Sequence, residues 1–138
     1  MELLSKQPTT KGPTKLCTGD LWFDVLARGE GESRLRVNAV HFSPGARTAW
    51  HRHSLGQTLH VTEGIGLVVT RDKAIVMRPG DTVHLPPGEE HRHGALPDHF
   101  MTHLAIWEDD DATWGRPHHR RRVRRRGRPP DSGTTQAA

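Results

Sequence analysis

Two short stretches of this 138-residue chain carry four side chains at the spacing of a metal site. In PGARTAWHRHSLGQTLHVTEG, Gly45 is followed after five residues by His51, then by His53 and, three residues on, by Gln57, and the stretch ends at Gly64. In PGDTVHLPPGEEHRHGA, Gly80 leads into the turn Pro86, Pro87, Gly88, and His91 follows after two more residues. Side chains two apart on a β-strand point to one face, so His51 and His53 present their imidazoles side by side. Gln57 reaches the same face from the start of the next strand, and the Pro-Pro-Gly reversal lets His91 approach from a neighbouring one. Imidazole is the commonest metal-ligating side chain, and an amide oxygen adds a harder, neutral donor. Any one of these histidines alone is more simply a surface or core residue. The set, bracketed by glycines, predicts a site for one divalent transition metal per chain.

Three imidazoles and an amide are all neutral, so a divalent ion held by them keeps its full charge and acts as a strong Lewis acid. That favours polarising a hydroxyl or carbonyl oxygen and disfavours high oxidation states. His93 lies two residues beyond His91 and shares its inward face. On the last strand His103, Ala105 and Trp107 lie on one face, with Met101 continuing the row. His93 and His103 are therefore candidates to move a proton near the metal, although His103 reads equally well as a hydrogen-bonded core histidine and Trp107 as a bulky filler beside the site. His41, His60, His84 and His99 have no partner spacing and read as structural.

The elements that must position these residues are strands. Residues 21–26 form a short apolar run, ARGEGESR reads as a loop, and residues 34–42 alternate as a strand with neither face strongly polar, which suits burial on both sides. Residues 65–70 and 73–77 flank Arg71 and Asp72 as a hairpin, and residues 99–107 read as the last strand. Gly and Pro recur too often for long helices. We divide the chain into an N-terminal arm with the first strands (1–33), a strand-rich core (34–107), and a linker with an arginine-rich tail (108–138). All but the last belong to one domain, as the length requires.

Charge separates these parts. Residues 1–115 hold 12 Lys and Arg against 15 Asp and Glu, a net of −3, whereas residues 116–138 hold eight Arg against one Asp, a net of +7. The tail lacks an amphipathic period and is expected to be disordered. Contact with nucleic acid through its arginines is the weaker reading, because no aromatic residue interleaves with them to stack on bases. One cysteine, Cys17, excludes an internal disulfide, no apolar run approaches a membrane span, and no signal-peptide core follows the N-terminus. The expectation is a cytoplasmic protein with no membrane partner.

The two histidine stretches resemble the paired motifs of the cupin family across residues 43–95. The first motif normally carries glutamate where this chain has Gln57, and the second normally ends on asparagine where this chain has Ala95. The resemblance implies an all-β fold, a small antiparallel β-barrel or jelly roll with the metal inside. It is nearest to a subgroup of small single-domain bacterial cupins containing manganese-dependent hydroxynitrile lyases, matched at residues 45–64, 78–95 and 101–106. It implies metal ligation by His51, His53, Gln57 and His91, with manganese first among manganese, iron, nickel, cobalt and zinc. Asn38 and Val40 match positions that line the substrate pocket there, joined by Met101 and Trp107. Asn38 and Trp107 are larger or more polar than expected around an aromatic substrate. The expected activity is a lyase acting on a small hydroxy compound, as a homodimer or homotetramer. The alternatives are a non-catalytic metal or small-molecule binding module, and a metal-dependent dioxygenase or isomerase.

Overall fold

The computed structural model describes residues 1–109 and 112–115, and within them every regular element is a β-strand. In chain order these are β1 (Thr10–Lys11), β2 (Cys17–Thr18), β3 (Leu21–Ala27), β4 (Leu35–Phe42), β5 (Arg47–Thr48), β6 (His51–His53), β7 (Gln57–Gly64), β8 (Gly66–Thr70), β9 (Ala74–Met77), β10 (Thr82–Leu85), β11 (His91–Ala95), β12 (Met101–Glu108) and β13 (Ala112–Trp114). They form two antiparallel sheets. One runs β1-β3-β4-β12-β7-β10; the other runs β13-β6-β11-β5-β2, with β8 beside β11 and β9 beside β8. The sheets curl toward each other as a small barrel, with the core between their inner faces.

The alternation of side chains decides what enters that core. On β7, Gln57, Leu59 and Val61 are buried while their neighbours face outward; on β12, Met101, His103 and Ala105 do the same. Phe42, Leu59, Val61, Met77 and Met101 are almost wholly removed from solvent, each contributing about 1.5–3 kcal/mol of hydrophobic stabilisation. Inner faces that carry both aliphatic residues and histidines make one continuous apolar floor under a polar patch.

Most expected strands are present, with small shifts at their ends. The hairpin around Arg71 and Asp72 is β8–β9, closed by Thr70 N–H donating to Lys73 O at 2.9 Å. Residues 34–42 correspond to β4, whose Val40 and Phe42 are buried and whose opposite face, with Val37, Ala39 and His41, is half-buried in the single chain. Residues 112–114, in the segment read as linker, pair as β13 with β6. The arginine-rich tail lies outside the described residues. Among those described, no helix is long and apolar enough to cross a membrane.

His41 and His60, read as structural, hold polar partners on the outside of the six-stranded sheet. His41 bridges Asp24 (2.8 Å) and Thr102 (3.1 Å), and His60 meets Thr82 (2.8 Å). His99 contacts Asp98 at 2.7 Å.

Candidate metal centre

Turn chemistry delivers the histidines. Glu89 N–H donates to Pro86 O across the Pro-Pro-Gly turn, with Gly88 at φ 78°, the left-handed conformation that the third position of a type II turn requires. Gly88 N–H then donates to His53 O at 2.9 Å, which ties this turn to the end of β6. The adjoining strands place His51 directly opposite His91 in the β6–β11 ladder. A second short turn, Gly56 N–H to His53 O, brings Gln57 to the start of β7.

The result is a group of buried imidazoles. Ring centroids of His51 and His91 are 4.3 Å apart, those of His51 and His93 are 5.1 Å apart, and one ring nitrogen from each of the three lies within 4.8 Å of the others. Gln57 Oε1 is 3.0 Å from His91 Nε2. His53 stands on the same face, 5.4 Å from His51 and 6.0 Å from His91 between ring centroids, with Trp107 5.7 Å away on its other side. The structure thus sets His51, His53, Gln57 and His91 near one another, while the three histidines whose ring nitrogens all lie within 4.8 Å are His51, His91 and His93.

Backbone carbonyls set the tautomers. His51 Nδ1–H donates to Ala49 O at 2.8 Å and His91 Nδ1–H to Glu89 O at 2.9 Å, which leaves the Nε2 lone pair of each ring available as a donor to a metal. Burial pushes the pKa of His51 down to about 3, with the neighbouring His91 charge adding to the effect. Burial also lowers His91 and holds His93 well below the usual imidazole value. These rings are neutral at neutral pH, the form in which imidazole coordinates. A metal ion fits this donor set: it consists of buried, neutral, lone-pair-bearing groups with fixed orientation.

His93 and His103 form a second unit. His103 Nε2 and His93 Nδ1 are 2.8 Å apart, and among the described residues neither His93 Nε2 nor His103 Nδ1 has a hydrogen-bond partner. Burial lowers His103 to about 4, and Phe42 packs against both rings. One proton is shared between two neutral imidazoles. When His93 Nδ1–H donates to His103, the Nε2 lone pair of His93 faces the histidine group.

A cavity of about 390 Å³ opens on this group. Asn38, Val40, His51, His53, Gln57, His93, Ala105 and Trp107 contribute to its wall, and no Lys, Arg, Asp or Glu does. Met101 is fully buried in the core and His103 reaches the cavity only through His93, so neither lines it. The sequence reading missed the opposite wall, where Leu16, Cys17, Leu21 and Phe23 join from β2, β3 and the preceding loop, and it missed Trp114 on β13. Leu16, Cys17 and Trp114 lie in a loop and in strands of two or three residues, too short to show a period, and Leu21 and Phe23 lie in the run read only as apolar, with no sign of which face meets the site.

The family model for the cupin domain matches residues 38–107. An (R)-mandelonitrile lyase from Granulicella tundricola is 45% identical over 106 residues, which cover 76% of this chain and 81% of that protein. A cupin-like protein from Thermotoga maritima superimposes with a TM-score of 0.75 at 35% identity, covering 85% of this chain and 90% of the other. A cupin 2 conserved barrel domain protein from Rhodopseudomonas palustris, 14% identical, superimposes with a TM-score of 0.67 over 78% of this chain and 76% of that one.

Proposed function

Since the chain belongs to the cupin domain family, we propose that it is a metal-dependent lyase cleaving a small neutral hydroxy compound of the cyanohydrin type. The observation that carries this reading is the His93–His103 pair set beside His51, His91 and Gln57 in an uncharged cavity. The similarity to a mandelonitrile lyase supports the substrate class.

His51, His53, Gln57 and His91 hold one divalent ion, with manganese the first choice and iron, nickel, cobalt and zinc the others. When bound, such an ion supplies Lewis acidity that lowers the pKa of a substrate hydroxyl. His93 Nε2 accepts the hydroxyl proton, and its Nδ1–H is steadied by His103. The hydroxyl oxygen's electron pair forms the carbonyl while the bond to the nitrile carbon breaks, and the cyanide that leaves with that bonding pair takes the proton back from His93. An aldehyde and hydrogen cyanide result, and no other reactant is consumed. Leu16, Val40, Phe23 and Trp107 keep the organic part of the substrate out of water. Asn38, opposite Ala105 in the β4–β12 ladder, offers an amide to a polar substituent and narrows the space for an aromatic ring.

A second ligand set has its own support: among the described residues, His51, His91 and His93 bring one ring nitrogen each within 4.8 Å of the others, which would make His93 a ligand and the protein a metal-binding module without a free base. Metal analysis by plasma mass spectrometry separates the two. In the lyase reading His53→Ala loses the metal and His93→Ala keeps it while cyanohydrin cleavage stops; in the other reading the two variants exchange behaviour, and oxygen-uptake assays on phenols then address the oxygenase alternative. For assembly, we propose a homodimer or homotetramer formed through the outer face of the β4–β12 sheet, where Trp22 and Leu35 are exposed, to be measured by light scattering.

A further inference from the structure

The outer face of the second sheet carries an unusual concentration of positive charge. Because His91 and His93 point inward on β11, Arg92 and Gly94 point outward. Gly94 lies opposite Arg47 on β5, and a Cβ at Gly94 would fall 2.3 Å from Ala46 O, so the glycine is what allows these two strands to approach. Across the other ladder, Arg92 lies opposite Val69 and Gly94 opposite Leu67. Arg47, Leu67, Val69, Arg92 and Pro97 surround a cavity of about 320 Å³.

Trp50 holds Arg92, one of the residues around this cavity. The guanidinium of Arg71 lies 3.9 Å above the indole and that of Arg92 5.1 Å from its centroid, contacts that hold a planar cation in place. Arg71 is paired with Glu90 at 2.6 Å. Among the described residues no carboxylate lies within ion-pair distance of Arg47 or Arg92. Arg71 and Arg92 crowd the same indole, so an anion placed beside Arg92 offsets the repulsion between neighbouring guanidiniums. This excess of guanidinium runs against the balance of residues 1–115, which is 12 − 15 = −3.

We propose that this face binds a small amphipathic anion, a carboxylate or similar oxyanion held between Arg47 and Arg92 with a compact apolar body laid on Leu67, Val69 and Pro97. Two guanidiniums on adjacent strands match the oxygens of such a group, and the apolar floor excludes a bare inorganic anion as the preferred ligand. The site lies on the opposite face of β11 from the histidines and does not depend on metal binding or on the lyase reading.

The test titrates metal-free, nitrogen-15-labelled full-length protein with benzoate, benzamide and inorganic phosphate, following amide chemical shifts. Benzoate is expected to saturate one site with shifts at Leu67, Val69, Arg92 and Gly94, benzamide to leave them unmoved, and phosphate to bind more weakly than benzoate. Arg47→Gln with Arg92→Gln is expected to weaken benzoate at least about tenfold. Shifts confined to Asn38, Val40 and Ala105 or to residues after 115, linear shifts without saturation, phosphate binding as tight as benzoate, or full affinity in the double variant would each overturn the proposal. Should the double variant fail to fold, the shift map and the benzamide comparison on the unaltered chain decide it alone.

Discussion

The indole of Trp114 lies nearly flat against the imidazole of His51, with ring centroids 4.3 Å apart and planes 24° from parallel. The contact comes from the β13–β6 ladder, in which Trp114 is the direct partner of His51, and from Gly115 N–H donating to Trp50 O at 2.6 Å. Seven residues beyond the end of the family match, the chain thus returns to cover the strand that carries the His-x-His pair. Half-exposed itself, Trp114 shields a ring that is only 2% exposed.

Removing that cover should loosen the metal without abolishing its site. Trp114→Ala is expected to release bound metal to a chelator several-fold faster than the unaltered protein, and Trp114→Phe to restore most of the difference, since stacking and burial survive in phenylalanine. Stopped-flow chelation followed by tryptophan fluorescence reads this directly. Equal release rates in all three proteins would remove any role for the stack.

Gln57 is the one donor whose charge a single substitution can change at nearly constant shape. Gln57→Glu is expected to keep about one ion per chain and to cleave a cyanohydrin at least about tenfold more slowly, because a carboxylate beside His91 offsets part of the cation's charge and so its Lewis acidity. Metal content and turnover measured on the same sample separate loss of ion from loss of chemistry.

His103 tests the proton path independently of ligation. His103→Ala is expected to retain metal while cleavage falls roughly 10²–10⁴-fold, the usual range for general acid–base catalysis, since His93 loses its 2.8 Å partner. His103→Gln, which can still accept a hydrogen bond from His93 Nδ1–H, is expected to recover part of the rate and to alter the pH profile. A purely structural His103 would instead show equal loss of stability and activity in both variants.

Stability should fall in acid, and the sign follows from the buried imidazoles. His51 and His103 titrate near 3 and 4 when folded and near the ordinary 6.5 when unfolded, so between those values the unfolded chain binds more protons. Their contribution is complete above about pH 6.5 and is lost progressively as pH falls toward 4 and 3. Urea midpoints of the metal-free protein are expected to hold level from pH 8 to 7 and to drop steadily below 6.5; a midpoint independent of pH between 7 and 4.5 would contradict the burial argument.

What the sequence determined by itself is local and periodic. The two-residue repeat of a strand is enough to put His51 beside His53 and His91 beside His93, and the Pro-Pro-Gly turn is enough to send His91 back toward them, so four metal-site candidates and the all-β fold follow from spacing. The resemblance of the two motifs supplied the barrel. Tertiary structure alone decided the contacts that depend on register between distant strands: His103 against His93, Trp114 against His51, and the wall from Leu16 to Phe23 closing the cavity. It also decided the tautomers, because only the folded backbone brings Ala49 O and Glu89 O under the Nδ1 atoms of His51 and His91. Side-chain direction along one strand is a property of neighbouring residues, whereas the partner across a ladder is chosen by the burial of whole faces, which no short stretch of sequence contains.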